Sequence, residues 1–221
     1  MALPVSDTFL QSTGSAQNLT TYSASWSILE GSFSVPSGIS MVDGTSGAYN
    51  TARHNVETFN ADQRARCQLT SAQISTGIYA GPAVRCQSGA NTSYHCESNG
   101  SALYFSKCVA GSQTTLAGPV SVSLAGGDWL AITVEGVGAT VTIKAWKSTS
   151  AAPDTYTQLG TDQTDTAGDR ITTAGQAGIF IYGSGGSAGL DAFYAENMGG
   201  GGGGSTELPP LTMAPLRGYG R

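Results

Sequence analysis

Residues 129–146 read WLAITVEGVGATVTIKAW, and the alternation within them decides the fold. Leu130, Ile132 and Val134 alternate with Trp129, Ala131, Thr133 and Glu135. After a glycine-containing turn, Val141, Ile143 and Ala145 alternate with Thr142, Lys144 and Trp146. A period of two is that of a strand whose successive side chains point to opposite faces. The stretch reads as a β-hairpin with one aliphatic face and one polar face carrying two indoles. A turn at Gly136-Val137 sets Trp129 opposite Lys144, and a slip to Val137-Gly138 sets it opposite Trp146. In both registers the indoles are neighbours on the non-aliphatic face.

The same period extends to both sides of this hairpin. Arg64, Arg66 and Gln68 share one face of a strand, and Ala65, Cys67 and Leu69 share the other. Trp26-Ser27-Ile28 and Phe33-Ser34-Val35 read as a hairpin around Glu30-Gly31. Residues 78–86 read as a strand interrupted at Gly81-Pro82, a pair that marks a bulge or an edge. Tyr94 to Glu97 and Ala102 to Cys108 flank Asn99-Gly100, a strong hairpin signal. Residues 148–173, rich in Asp, Thr, Gly and Ala, read as loop with one or two edge strands. Residues 177–182 and 190–195 close the series. Asp7-Thr8-Phe9 near the start echoes Asp191-Ala192-Phe193 near the end, as expected if first and last strands pair. No amphipathic helix longer than a turn or two is evident. About a dozen short strands separated by turn signals predict an all-β, two-sheet antiparallel sandwich.

Composition narrows the function. The chain has 221 residues, with 39% apolar side chains, enough for a core, and only 11% charged. Gly, Ser, Thr and Ala stand in place of charge, a mix that suits the outside of cells or particles. Up to Met198 there are 8 basic and 14 acidic residues. A body this acidic excludes a general nucleic-acid role, which needs clustered Lys and Arg. No run approaches the length of a membrane span, so no membrane partner is expected. The start, Met1 to Asp7, has neither a basic segment nor an apolar one, which reads as synthesis without a secretion signal.

Four cysteines stand at positions 67, 86, 96 and 108. They form no CxxC pair, so a zinc site is not expected. Two readings stay open: four buried thiols, or a cross-strand disulfide, best placed between Cys86 and Cys96. His54 and His95 are the only histidines. His95 faces opposite to Tyr94 and Cys96 and reads as an exposed strand histidine, with a ligand or base as the alternative. Asp162, Asp165 and Asp169 fall in a Thr/Gly-rich segment and read as solvated, with calcium binding as the alternative. No cofactor and no metal are expected.

These strand motifs, in their order DTF, YSASWSILEGSFSV, YAGPAVRCQ, YHCES, ALYFSKCVAG, WLAITVEG, VTIKAWK, AGQAGIFIYG and LDAF, resemble the concanavalin A-like lectin/glucanase superfamily. More narrowly they resemble laminin-G-like jelly-roll modules of bacterial and phage surface proteins. The resemblance covers residues 5 to 196. It implies a jelly roll of one concave and one convex antiparallel sheet with neighbouring termini. It also implies a range of uses: carbohydrate-binding domains, glycoside hydrolases and non-catalytic virion modules. Retaining glycosidases of this fold carry paired glutamates on one strand, as ExDxxE or ExDxE. No such string occurs here, so no catalytic residue is expected. The candidate glycan-binding residues are Trp129 and Trp146, as a stacking platform, with Lys144 beside them or over an indole. The alternative is that the 148–173 segment covers both rings.

The sequence thus divides into a jelly-roll domain (1–196), a glycine-rich linker (197–205) and a proline-rich tail (206–221). Glycine loses the most backbone entropy on ordering, so the run Gly199 to Gly204 reads as a hinge. Beyond it, Leu208, Pro209, Pro210, Leu211, Met213, Pro215, Leu216, Arg217, Tyr219 and Arg221 read as a docking peptide with an extended, preset backbone. The expected function is a non-catalytic virion structural protein: a phage capsid decoration or tail/fibre-associated protein on the virion surface. Other virion proteins would be contacted through the tail, with homo-oligomers and surface glycans as further partners. The alternatives are an extracellular carbohydrate-binding adhesin or lectin and, last, a glycoside hydrolase.

Overall fold

The computed structural model describes residues 4–11, 15–36, 42–44, 48–149, 156–183 and 189–198. The linker and tail from Gly199 onward, with every proposed docking residue, lie outside the described residues. In chain order the strands are β1 (Val5–Asp7), β2 (Gln17–Asn18), β3 (Trp26–Glu30), β4 (Phe33–Val35), β5 (Val42–Gly44), β6 (Ala48–His54), β7 (Gln63–Leu69) and β8 (Tyr79–Cys86). Then follow β9 (Ser93–Ser98), β10 (Ala102–Val109), β11 (Ser112–Ser121), β12 (Trp129–Glu135), β13 (Val141–Ser148), β14 (Thr157–Asp165), β15 (Gln176–Gly183) and β16 (Gly189–Asn197). Two short helices, α1 (Leu19–Tyr22) and α2 (Ser71–Thr76), join them.

The strands form two antiparallel sheets. One runs β14-β13-β12-β7-β16-β5-β4-β2, with β1 also paired to β16, and has nine strands. The other runs β11-β10-β9-β8-β15-β6-β3 and has seven. The aliphatic faces meet between them. Ala65, Cys67, Leu69, Leu130, Ile132, Val134, Val141 and Ile143 of the first sheet join one core with Ala80, Val84, Tyr94, Cys96, Leu103, Phe105, Ile179 and Ile181 of the second. The aliphatic face selected by the period-two pattern of residues 129–146 thus lies in the core, whereas the opposite face of β12, expected to be polar and open, is buried as well. At one edge the sheets are tied by polar groups. Lys107 on β10 points inward to Asp165 on β14, Nζ to Oδ2 3.0 Å, and Tyr94 donates its hydroxyl to the same oxygen at 2.7 Å. Asp165 is 2% exposed, so it is a structural counter-charge and not the solvated residue expected from its setting.

First and last strands pair as their echo suggests, with Asp7 opposite Phe193. Asp7 also accepts hydrogen bonds from the Trp26 indole at 2.7 Å and the Tyr22 hydroxyl at 3.0 Å. Phe9 and Phe193 flank that indole at 5.5 and 5.1 Å between ring centroids.

Three local expectations are corrected. Trp26–Ile28 and Phe33–Val35 are not a hairpin: β3 lies in the seven-stranded sheet and β4 in the nine-stranded one. Gly31 makes the crossing. Its φ is +70°, and a Cβ there would fall 2.2 Å from the Asn50 side-chain oxygen, which accepts from the Ser32 amide at 3.0 Å. Gly81-Pro82 is neither bulge nor edge, because β8 is central, between β9 and β15. Gly81 is there for close approach: an added Cβ would lie 1.9 Å from the Cys96 carbonyl oxygen. The irregularity falls instead near Arg85, whose φ is +52°. Its buried guanidinium donates to the carbonyls of Ala61, Ile171 and Gly136 and so ties three loops to the strand. Finally, the β12–β13 register pairs Trp129 with Ser148, Ala131 with Trp146 and Glu135 with Thr142, unlike either register drawn from a two-residue turn. The longer connection is held from outside: Asp62 accepts from the Gly136 amide, and Arg170 donates to the Gly138 carbonyl.

Candidate functional site

The outer face of the nine-stranded sheet carries the residues singled out from sequence. Trp129 and Trp146 are diagonal neighbours there, as the alternation requires, but they are 6% and 3% exposed. Arg66 on β7 lies over Trp129, its guanidinium carbon 4.8 Å from the ring centroid, and 4.5 Å from the ring of Tyr194 on its other side. It also donates to the Tyr156 hydroxyl at 2.8 Å, so a residue of the 148–173 segment caps the layer. Trp146 donates its indole N–H to Thr133 Oγ1 at 3.3 Å. Lys144 faces Asp162 at 3.5 Å and Glu135 at 3.9 Å. The cation placed over an indole is therefore Arg66, not Lys144. The two indoles are covered and Lys144, half-buried, is engaged by Asp162 and Glu135, so the three offer no stacking platform in this structure.

Cys86 and Cys96 are free thiols, as are Cys67 and Cys108, and all four are buried. The β8–β9 register pairs Ala83 with His95 and Val84 with Tyr94. Cys86 therefore sits four residues along the ladder from the position facing Cys96, about 13 Å at the usual strand rise. A disulfide needs Cα atoms within about 7 Å. Burial pushes the Cys86 thiol up to about 12. Asp162, Asp165 and Asp169 are divided between Lys144 and Lys107. Among the described residues no group of three or more His, Cys, Asp or Glu is gathered to hold a metal ion.

The outer face of the seven-stranded sheet holds a different arrangement. Tyr49 on β6, Tyr182 on β15 and Tyr79 on β8 lie side by side across three strands. The Tyr49 and Tyr182 rings stack at 4.6 Å, and Tyr79 meets Tyr104 of β10 edge-on at 5.5 Å. With Glu97, Gln113 and Thr115 these rings line a cleft of about 180 Å³. Tyr49 and Tyr182 are 39% and 38% exposed, so the rim is open to water.

The floor is polar and buried. Glu97, directly across from Tyr104, is 7% exposed. Its Oε1 accepts long hydrogen bonds from Ser106 Oγ and Gln113 Nε2, both at 3.5 Å. No cation among the described residues pairs with it. Desolvation raises its carboxyl to about 7, against the opposing pull of the Ser106 hydroxyl. Beside it His95 is fully buried, contrary to expectation. The Phe180 ring covers it, stacked at 4.0 Å and 12°. Burial pulls its imidazole down to about 3, so the ring is neutral.

Sequence reading missed this cleft. Outward alternation of Tyr104 with Ser106, and of His95 with Glu97, is visible in the strands. The site, however, is assembled from the four successive strands β8 to β11 together with β15 and β6, and only strand order and register bring them together.

No protein-family model and no curated protein sequence matches this chain. Solved structures do. A GH43 protein, BlXynB from Bacillus licheniformis, is similar over 87% of this chain, with a TM-score of 0.54 and 16% identity. The chain spans 39% of that enzyme. The carbohydrate-binding module CBM66 from Bacillus subtilis is similar over 78% of this chain and 92% of its own, with a TM-score of 0.48 and 16% identity. The exoplasmic/lumenal domain of VIP36, in a form bound to calcium and Man2, covers 81% of this chain and 83% of its own, with a TM-score of 0.48 and 11% identity. Two antiparallel sheets, paired terminal strands and the similarity to BlXynB agree: in fold, the chain is a two-sheet antiparallel jelly-roll sandwich.

Proposed function

We propose that this chain is a non-catalytic glycan-binding module whose site is the tyrosine-lined cleft on the outer face of the seven-stranded sheet. The observation that carries the reading is the pairing of exposed aromatic walls with a polar floor. A pyranose presents C–H groups on its faces and hydroxyls around its edge. The electron-rich faces of Tyr49, Tyr79, Tyr104 and Tyr182 suit the former. Glu97, Gln113, Thr115 and the tyrosine hydroxyls suit the latter. A cleft of about 180 Å³ takes one ring or the end of a chain rather than a long segment. Glu97 is the one carboxylate among its described lining residues, whereas retaining and inverting glycosidases use two. That supports binding without cleavage.

The test is a glycan screen with the full chain, followed by calorimetry on the sugars it retains. Tyr79→Ala and Tyr104→Ala should each weaken binding at least ~10-fold, the scale of one lost ring contact at a hot spot. Trp129→Phe should leave it unchanged. Binding lost on Trp129→Phe and kept in both tyrosine variants would move the site to the other face. Placement on a virion surface, with residues 206–221 as the anchor, is a proposal resting on sequence alone. Its test is truncation after Met198: the body should fold and no longer join its assembly.

A further inference from the structure

We infer that Glu97 enters binding as a carboxylic acid that donates its O–H to the ligand, so that the cleft takes neutral sugars and rejects those carrying a carboxylate or sulfate. The inference rests on the glycan reading above and deepens it. Its basis is the geometry of the two carboxyl oxygens. Oε1 accepts from both Ser106 Oγ and Gln113 Nε2. Oε2 receives no hydrogen bond from the described residues, and Glu97 lines the cleft. A proton on this group belongs on Oε2, the oxygen left for the ligand.

The groups facing Glu97 leave it without compensation if ionised. They are Tyr49 from β6, Tyr182 from β15, Tyr79 from β8, Tyr104 and Ser106 from β10, and Gln113 and Thr115 from β11, with His95 on its own strand. None is a cation, because His95 is held neutral by burial. Glu30, whose charge reaches Tyr49 together with that of Glu97, adds a second negative group. A buried charge without a partner is costly, so the group stays protonated at the expense of a raised ionisation point. The same shortage of cations disfavours an anionic ligand, whose charge none of the described residues lining the cleft would balance. A neutral sugar oxygen brings only a lone pair, and the acid supplies its proton.

The experiment is a calorimetric titration of the full chain with a panel of neutral disaccharides (maltose, cellobiose, lactose, mannobiose) and matching glucuronic-acid disaccharides, at about pH 5.5 and about pH 8.5. Neutral sugars should bind at the lower pH and weaken roughly 30-fold at the higher, where about 3% of a group titrating near 7 stays protonated. Uronates should bind at neither. Glu97→Gln, whose amide donates at any pH, should hold the neutral sugar equally at both. Neutral binding that ignores pH, or uronates bound as well as neutral sugars, overturns the inference and leaves the glycan reading standing. No binding at either pH overturns both. A carboxyl ¹³C titration of the ligand-free chain is an independent check: a Glu97 signal titrating in the ordinary glutamate range overturns the inference whatever the sugars do.

Discussion

Replacing Glu97 by Gln should stabilise the protein above neutral pH and leave it unchanged in acid. The carboxyl titrates near 4.5 when unfolded and near 7 in the folded sheet. A folded value above the unfolded one means that the native state binds the proton more tightly. Stability from this group is then complete below about pH 4.5 and is lost as pH rises through 7. A shift of about 2.5 units at 1.36 kcal/mol per unit gives a loss of about 3 kcal/mol by about pH 9. Gln has the same shape and no charge to bury, so the variant escapes that loss. His95 adds an opposite slope: its imidazole, held near 3, costs stability as pH falls below about 6.5. Both proteins carry that slope, so the difference between them isolates Glu97. Urea unfolding of both chains at steps from about pH 4.5 to about pH 9 is the assay. The difference should be near zero at the acid end and grow to about 3 kcal/mol in favour of the variant. A constant difference, or one favouring the native chain at high pH, would refute the reasoning.

Three further outcomes follow from packing. Trp146→Ala should cost about 3–5 kcal/mol in urea unfolding and leave sugar affinity unchanged, because the ring is buried on the face away from the tyrosine cleft. Gly81→Ala should fail to fold or lose most of its stability, read as a collapsed thermal transition, since its Cβ would meet the Cys96 carbonyl at 1.9 Å in a central strand. All four thiols should resist a thiol reagent in the native state and react fully in denaturant, with no change on prior reduction.

Much of the fold was legible because period-two alternation is a local property. The 129–146 hairpin buries the face its residues select, and the Asp-x-Phe echo marks strands that do pair. The rest depended on partners far along the chain. Gly31 looks like a hairpin turn until Asn50 is known to sit against it. Gly81-Pro82 looks like an edge until β9 and β15 are placed on either side. The β12–β13 register departs from both minimal turns because Asp62, Arg85 and Arg170, from three other segments, hold open a wider connection. The site was harder still. Alternation put Trp129 and Trp146 together on an outward face but could not show that Arg66, adjacent to Trp129, covers it. The same rule put Glu97 and Tyr104 on outward positions of separate strands, and only cross-strand pairing makes them floor and wall of one cleft.

The most direct test of the account is an NMR titration of the isotope-labelled full chain with the best-binding neutral disaccharide at about pH 5.5. The largest shifts should fall at the ring and side-chain signals of Tyr49, Tyr79, Glu97, Tyr104 and Tyr182, with the Trp129 and Trp146 indoles unmoved. Shifts concentrated on those indoles, or spread with no focus on the seven-stranded sheet, would contradict it.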